Sequence, residues 1–266
     1  MDSSAWQIFV AGGLILVCAI TAYFVRRRAQ RIKAGLINPR PWLFLPGLSG
    51  ISRQDRQQTD TFVITQVNDL NQLPWGENPV PDRREAESIY QGALDAIADA
   101  EGDYRKLAPV IEGLLKLPID LALSGVARTI MTLSYLQGGL YSPVGVQAAL
   151  AYTSAAVNLD PLSVDAWIMR LYVATSVRNG WYHLIAKAAL KQARSLNPNH
   201  PRLPDAEASY FKRYGNQQEY EVAIRRMIDL APSPVVKRAG YDRLAWYYAG
   251  QGQMDEAIAT YQRYFY

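Results

Sequence analysis

The stretch "YDRLAWYYAGQGQMDEAIATYQRYFY", residues 241–266, decides the fold. Tyr241, Leu244, Ala245 and Tyr248 recur at spacings of three and four, which puts them on one face of a helix. Gly252 interrupts the period, and Asp255 and Glu256 open a second one, where acidic side chains suit the positive end of the helix dipole. Ala257 and Tyr261 form the answering face. Small residues at the crossing let two antiparallel helices approach while aromatics fill the space beside it, so the spacing predicts a helical hairpin.

Upstream segments repeat the pattern. "DAEASYFKRYGNQQEYEVAIRRMIDLAP" (205–232) sets Gly215 seventeen residues before Pro232, and "EGDYRKLAPVIEGLLKLP" (101–118) sets Gly102 sixteen before Pro118. "VNLDPLSVDAWIMRLYV" (157–173) runs from the end of one hairpin into Trp167 of the next. The prolines that close successive units, Pro118, Pro161, Pro198 and Pro232, lie 43, 37 and 34 residues apart, converging on the period of a known helical repeat. An apolar run at 119–136, "IDLALSGVARTIMTLSYL", is interrupted by Asp120 and Arg128 and reads as core helices of the second unit.

These segments resemble tetratricopeptide repeats over roughly residues 85–266, as five degenerate units. The match is strong in the last unit and good in the third, at Trp167, Ala186, Ala193 and Pro198. It is weakest in the second, which rests on Ala149, Ala156, Leu159 and Pro161 and is lengthened by the loop "QGGLYSPVG". The resemblance implies an all-α fold, a right-handed superhelix of about five hairpins with a concave face, and protein or peptide binding without catalysis. Aligned on the closing glycine or proline of each unit, it implies that Asp165, Ile168 and Tyr172, then Asp205, Ser209, Lys212 and Arg213, then Asp242 and Trp246 face the groove. Tyr172, Ser209 and Trp246 stand where the family's chaperone-tail clamp has Asn, which disfavours that clamp. No capping helix is expected after the last repeat, so "YQRYFY" is expected to dock on the domain, a partner or a second copy.

The N-terminal end has another texture. "AWQIFVAGGLILVCAITAYFV", 5–25, carries no charge, and at about 1.5 Å per residue it spans roughly the 30 Å of a bilayer core. Trp6 and Tyr23 sit near its ends, where amphipathic rings prefer the headgroups. A secretory signal needs cations before the apolar run, and "MDSSAWQ" has none. Arg26, Arg27, Arg28, Arg31 and Lys33 follow, which predicts an N-terminus (1–4) outside, the repeats on the cytoplasmic side of a cell (inner) membrane, and attraction to anionic lipid.

Residues 26–84 form a basic and then Pro-rich juxtamembrane segment with Pro39, Pro41, Pro46, Pro74, Pro79 and Pro81. Within it "PWLFLPGL" (41–48) suits an interface or a groove. "TFVITQVNDL" (61–70) has the β-branched content of a strand, to be laid along its own domain or against a partner.

Composition narrows function. Of 28 Lys and Arg and 24 Asp and Glu, removing the five cations of the cluster and Asp2 leaves 23 of each, so the part beyond residue 33 has no surplus for phosphate backbones and no nucleic-acid partner is expected. The single cysteine, Cys18, rules out an intramolecular disulfide. His183 and His200 have no metal-ligand spacing, the carboxylates Asp95, Asp99, Glu101 and Asp103 lack the glycine and closing glutamate of a calcium loop, and "GGLYSPVG" has no following Lys-Ser/Thr. No catalytic set, cofactor or metal is expected. The reading is a non-catalytic membrane-tethered scaffold or assembly factor with a protein partner; its layout is similar to bacterial membrane-tethered adaptors and to mitochondrial import receptors. The alternative is a permanent accessory subunit of a membrane complex, in which Gly12, Gly13, Cys18 and Ala22 form a helix-packing face.

Overall fold

A computed structural model describes residues 53–75, 79–100, 104–136, 140–177 and 180–265. The apolar run 5–25, the cationic cluster 26–33 and "PWLFLPGL" lie outside the described residues, and with them the expectations for Trp6, Tyr23, Arg26, Arg27, Arg28, Arg31, Lys33, Gly12, Gly13, Cys18 and Ala22. Among the described residues no helix is long and apolar enough to cross a membrane.

The architecture is an all-α helical repeat. After α1 (Arg53–Asn71) come five hairpins: α2 (Arg83–Asp99) with α3 (Tyr104–Leu114), α4 (Ile119–Leu133) with α5 (Pro143–Leu159), α6 (Val164–Thr175) with α7 (Gly180–Leu196), α8 (Leu203–Tyr214) with α9 (Gln217–Asp229), and α10 (Pro234–Gly250) with α11 (Met254–Phe265). From α2 to α8 the first helices also pack on one another in order, so they share one face of the stack. Within the second hairpin the ends of the long loop pair as a two-residue antiparallel ladder, β1 (Tyr135–Leu136) and β2 (Leu140–Tyr141).

Local chemistry sets the boundaries. Ser163 and Ser233 cap α6 and α10 by accepting from the backbone N–H three residues on, and Asn216 with Glu219 forms a reciprocal capping box at α9. Gly252, at φ 76°, supplies the left-handed turn between α10 and α11. Buried Ala149, Ala156, Ala186, Ala189, Ala193, Ala206, Ala208 and Ala223 line the crossings, as the small-residue pattern requires. Helix α4 is buried along almost its whole length, which is why its sequence reads as apolar as a membrane span.

One expectation is corrected. Residues 61–70 are not a strand but most of α1, and they pack in cis. Val63 and Leu70 are buried in the main core, with Val67 packed beside them at helical spacing, against α4 and α5. Asp60 accepts a hydrogen bond from Ser142, and Asn71 accepts one from Tyr152. Burial of one stripe against two helices outweighs a β preference that spans only about 1 kcal/mol across residue types. Among the described residues the packed helices thus begin at Arg53, within the stretch read as juxtamembrane segment.

Candidate functional site: the inner face of the first helices

Aspartates recur in the first turns of α4, α6 and α8, at Asp120, Asp165 and Asp205. Each is met by an arginine from a neighbouring unit. Arg83 of α2 donates through both terminal nitrogens to Asp120 at 3.0 Å, and Ser163 donates to the same carboxylate at 2.5 Å. Arg202, just before α8, donates to both oxygens of Asp165 at 2.7 and 2.9 Å, with His200 Nε2 at 3.6 Å. Arg243 of α10 lies 2.7 Å from Asp205. The carboxylates suit the positive helix ends, and the arginines tie consecutive hairpins along one face.

That face encloses a cavity of about 150 Å³, to which all five first helices contribute: Tyr90 and Leu94 from α2, Arg128 from α4, Ile168 and Tyr172 from α6, Asp205 and Ala206 from α8, and Val235, Val236, Ala239 and Arg243 from α10. The stack also turns back on itself, because Ser233 at the cap of α10 donates to Asp95 of α2 at 3.1 Å, and Arg202 donates to Gln91 at 3.2 Å. Arg238 stands 3.9 Å from Asp99 across the same seam. Tyr172 and Arg243 also line a second, wider groove of about 630 Å³ with Tyr135, Tyr141, Ser209, Lys212, Arg213 and Tyr220.

The residues inferred from repeat alignment divide accordingly. Asp165, Ile168, Tyr172 and Asp205 line the cavity, and Ser209, Lys212 and Arg213 join Tyr172 in the groove. Asp242 and Trp246 do not join them. Asp242 accepts a hydrogen bond from Tyr261 of the paired helix, and Trp246 lies 74% exposed by another depression with Gly215 and Asn216. Burial of Gly240, Leu244 and Ala245 turns α10 so that Val236, Ala239 and Arg243 point inward, one residue out of the aligned register. Arg128, Arg202, Arg243, Tyr135 and Tyr141 were not singled out for the site. Arg128 had a signal, as a cation inside an apolar helix; the tyrosines depend on a β-ladder that the repeat pattern does not contain.

Electrostatics follow from burial. The Arg128 guanidinium lies 4.2 Å from the Tyr172 ring centre, and the pair is also hydrogen-bonded. Burial and the neighbouring Tyr172 raise Tyr141 above the usual phenol range. Burial lowers His200, with Asp165 opposing, and lowers His183, whose ring stacks on Tyr214 at 4.3 Å and meets the Tyr210 hydroxyl at 3.1 Å. Among the described residues, no group of three or more His, Cys, Asp or Glu is placed to hold a metal. Hydrogen bonding, ion pairing and aromatic stacking are the chemistry this face offers.

No protein-family model matches the chain, and no curated protein does. Among solved structures it is similar to a thermophilic tetratricopeptide-repeat protein of Thermus thermophilus, at 21% identity and a TM-score of 0.49, over 66% of this chain and 89% of that one. The hairpin stack itself, rather than that likeness, defines the fold.

Proposed function

We propose that this chain is a non-catalytic scaffold that holds a protein partner in the groove on the inner face of its first helices, tethered to a membrane by residues 5–25. The observation that carries the reading is the groove of about 630 Å³, which shares Tyr172 and Arg243 with the inner cavity and is walled by tyrosines and cations from four units. Tyrosine and arginine are the side chains that most often anchor protein interfaces. The tether is supported by the uncharged run and the five cations behind it, which would put the repeats on the cytoplasmic side. The test is a photo-crosslinking amino acid placed at Tyr135 or Ser209 in cells, with exposed Val222 of α9 as control. A discrete adduct from the groove positions and not from Val222 is expected; equal adducts, or none, sink the reading. With Cys18 as the sole native cysteine, cysteines introduced at Ser3 and Gln30 report topology through an impermeant maleimide, Ser3 alone reacting in intact cells.

One observation favours the second reading, a permanent complex subunit. Met254, Ile258 and Tyr261 of α11 and Trp246 of α10 are all exposed at the last hairpin, an apolar surface suited to a standing contact. Replacing the span by an unrelated poly-Leu helix separates the two: a scaffold keeps its partner, whereas a subunit loses its complex.

A further inference from the structure

The groove is one-sided in charge. Its lining includes Lys212, Arg213 and Arg243 and no carboxylate. Arg243 is answered from the adjoining cavity by Asp205. Arg128, which lines that cavity, meets the π face and hydroxyl of Tyr172, and the Asp205 charge that favours its cationic form at longer range is the one paired with Arg243. The single carboxylate of Asp205 thus serves two guanidiniums, and an incoming anion would give the pair a second counter-charge. Tyr135 and Tyr141, packed edge to face at 4.9 Å, stand on the wall beside it and bring phenol hydroxyls that can donate to a carboxylate.

We propose that the occupant of the groove is an extended acidic peptide segment of the partner, with one carboxylate seated between Arg128 and Arg243 and further ones met at the mouth by Lys212 and Arg213. This rests on the reading of the groove as the partner site. It excludes the chain's own 26–33 segment as occupant, since its five cations would face cations. A groove lined by four successive units suits an extended chain, and the tyrosine walls give its side chains apolar and hydrogen-bonding contact at once.

The test pans random dodecapeptides displayed on phage against the full chain in lipid nanodiscs. Ionic strength is kept physiological, where the screening length is about 8 Å. Enrichment of Asp- and Glu-bearing peptides is expected. A synthetic enriched peptide should lose about tenfold in affinity against K212E/R213E, whose side chains are exposed and leave packing intact, and a similar factor against R128M or when its acids become amides. Enrichment of neutral or basic peptides that still depend on Lys212 and Arg213 overturns the acidic occupant while leaving the groove as the partner site. Acidic peptides indifferent to K212E/R213E also overturn it, and no enrichment at all removes both.

Discussion

At Asp165 the fold concentrates its charge. The carboxylate is 3% exposed, and Arg202, 10% exposed along its side chain, grips both of its oxygens. Removing one member of such a pair leaves the other buried and unmatched, so D165N should lose about 3–5 kcal/mol in urea unfolding, while D165L/R202M should recover most of it. An equal loss in both variants would mean that packing, not charge, holds the turn. The histidines give a pH signature. Burial lowers both His200 and His183, so the unfolded chain takes up protons first, near pH 6.5, and stability is full above that value and declines as pH falls below it. H183N/H200N should flatten the stability curve between about pH 6.5 and 5.5, before the carboxylates titrate; an unchanged slope would assign it to other groups. Asp165 and Asp205 were legible from sequence because repeat alignment carries first-turn positions between units. Arg202 was not, because it sits in a turn whose path depends on where α8 begins.

Helices show the same division between pattern and packing. Gly145 opens α5 so close to Ser134 that an added Cβ would lie 2.2 Å from the Ser134 Cβ, and Ser134 is fully buried, with its hydroxyl donating to the Met131 carbonyl. Gly92, on the exposed face of α2, has nothing within 4 Å. Both substitutions by alanine gain helix propensity of roughly 0.5–1 kcal/mol. At Gly92 that gain should appear undiminished as a higher urea midpoint, whereas at Gly145 overpacking of about 1–3 kcal/mol outweighs it and the midpoint should fall. A rise at both would show that α5 can shift away from Ser134. The hairpins at the C-terminal end could be read from spacing because their apolar faces are made of residues in contact within one unit. Helix α1 could not, because what makes it a helix is a surface more than seventy residues away: Val63 packs beside Gly145, and Asp60 is held by Ser142.

At the scale of the described stack the decisive contact is between its first hairpin and its last two. Repeat stacks are ordinarily stabilised only by nearest neighbours, so the first and last hairpins of an open superhelix are independent. Here Ser233 reaches Asp95 over 138 residues and Arg202 reaches Gln91 over 111, which closes the inner cavity on the side of α2 and α10 and leaves the tyrosine-walled groove as the wider way in. Each of these polar contacts is worth only about 1 kcal/mol, so closure is a matter of geometry that a modest change can undo. Spin labels on cysteines introduced at exposed Ala96 and Lys237, in a background with Cys18 replaced, should therefore give a single narrow distance distribution. D95A/R238A, which keeps Ser233 as the cap of α10, should broaden and lengthen it without lowering helix content. A broad distribution in the parent chain would mean an open superhelix, and a partner could then enter from the α2 side, between hairpins that the closed form holds together.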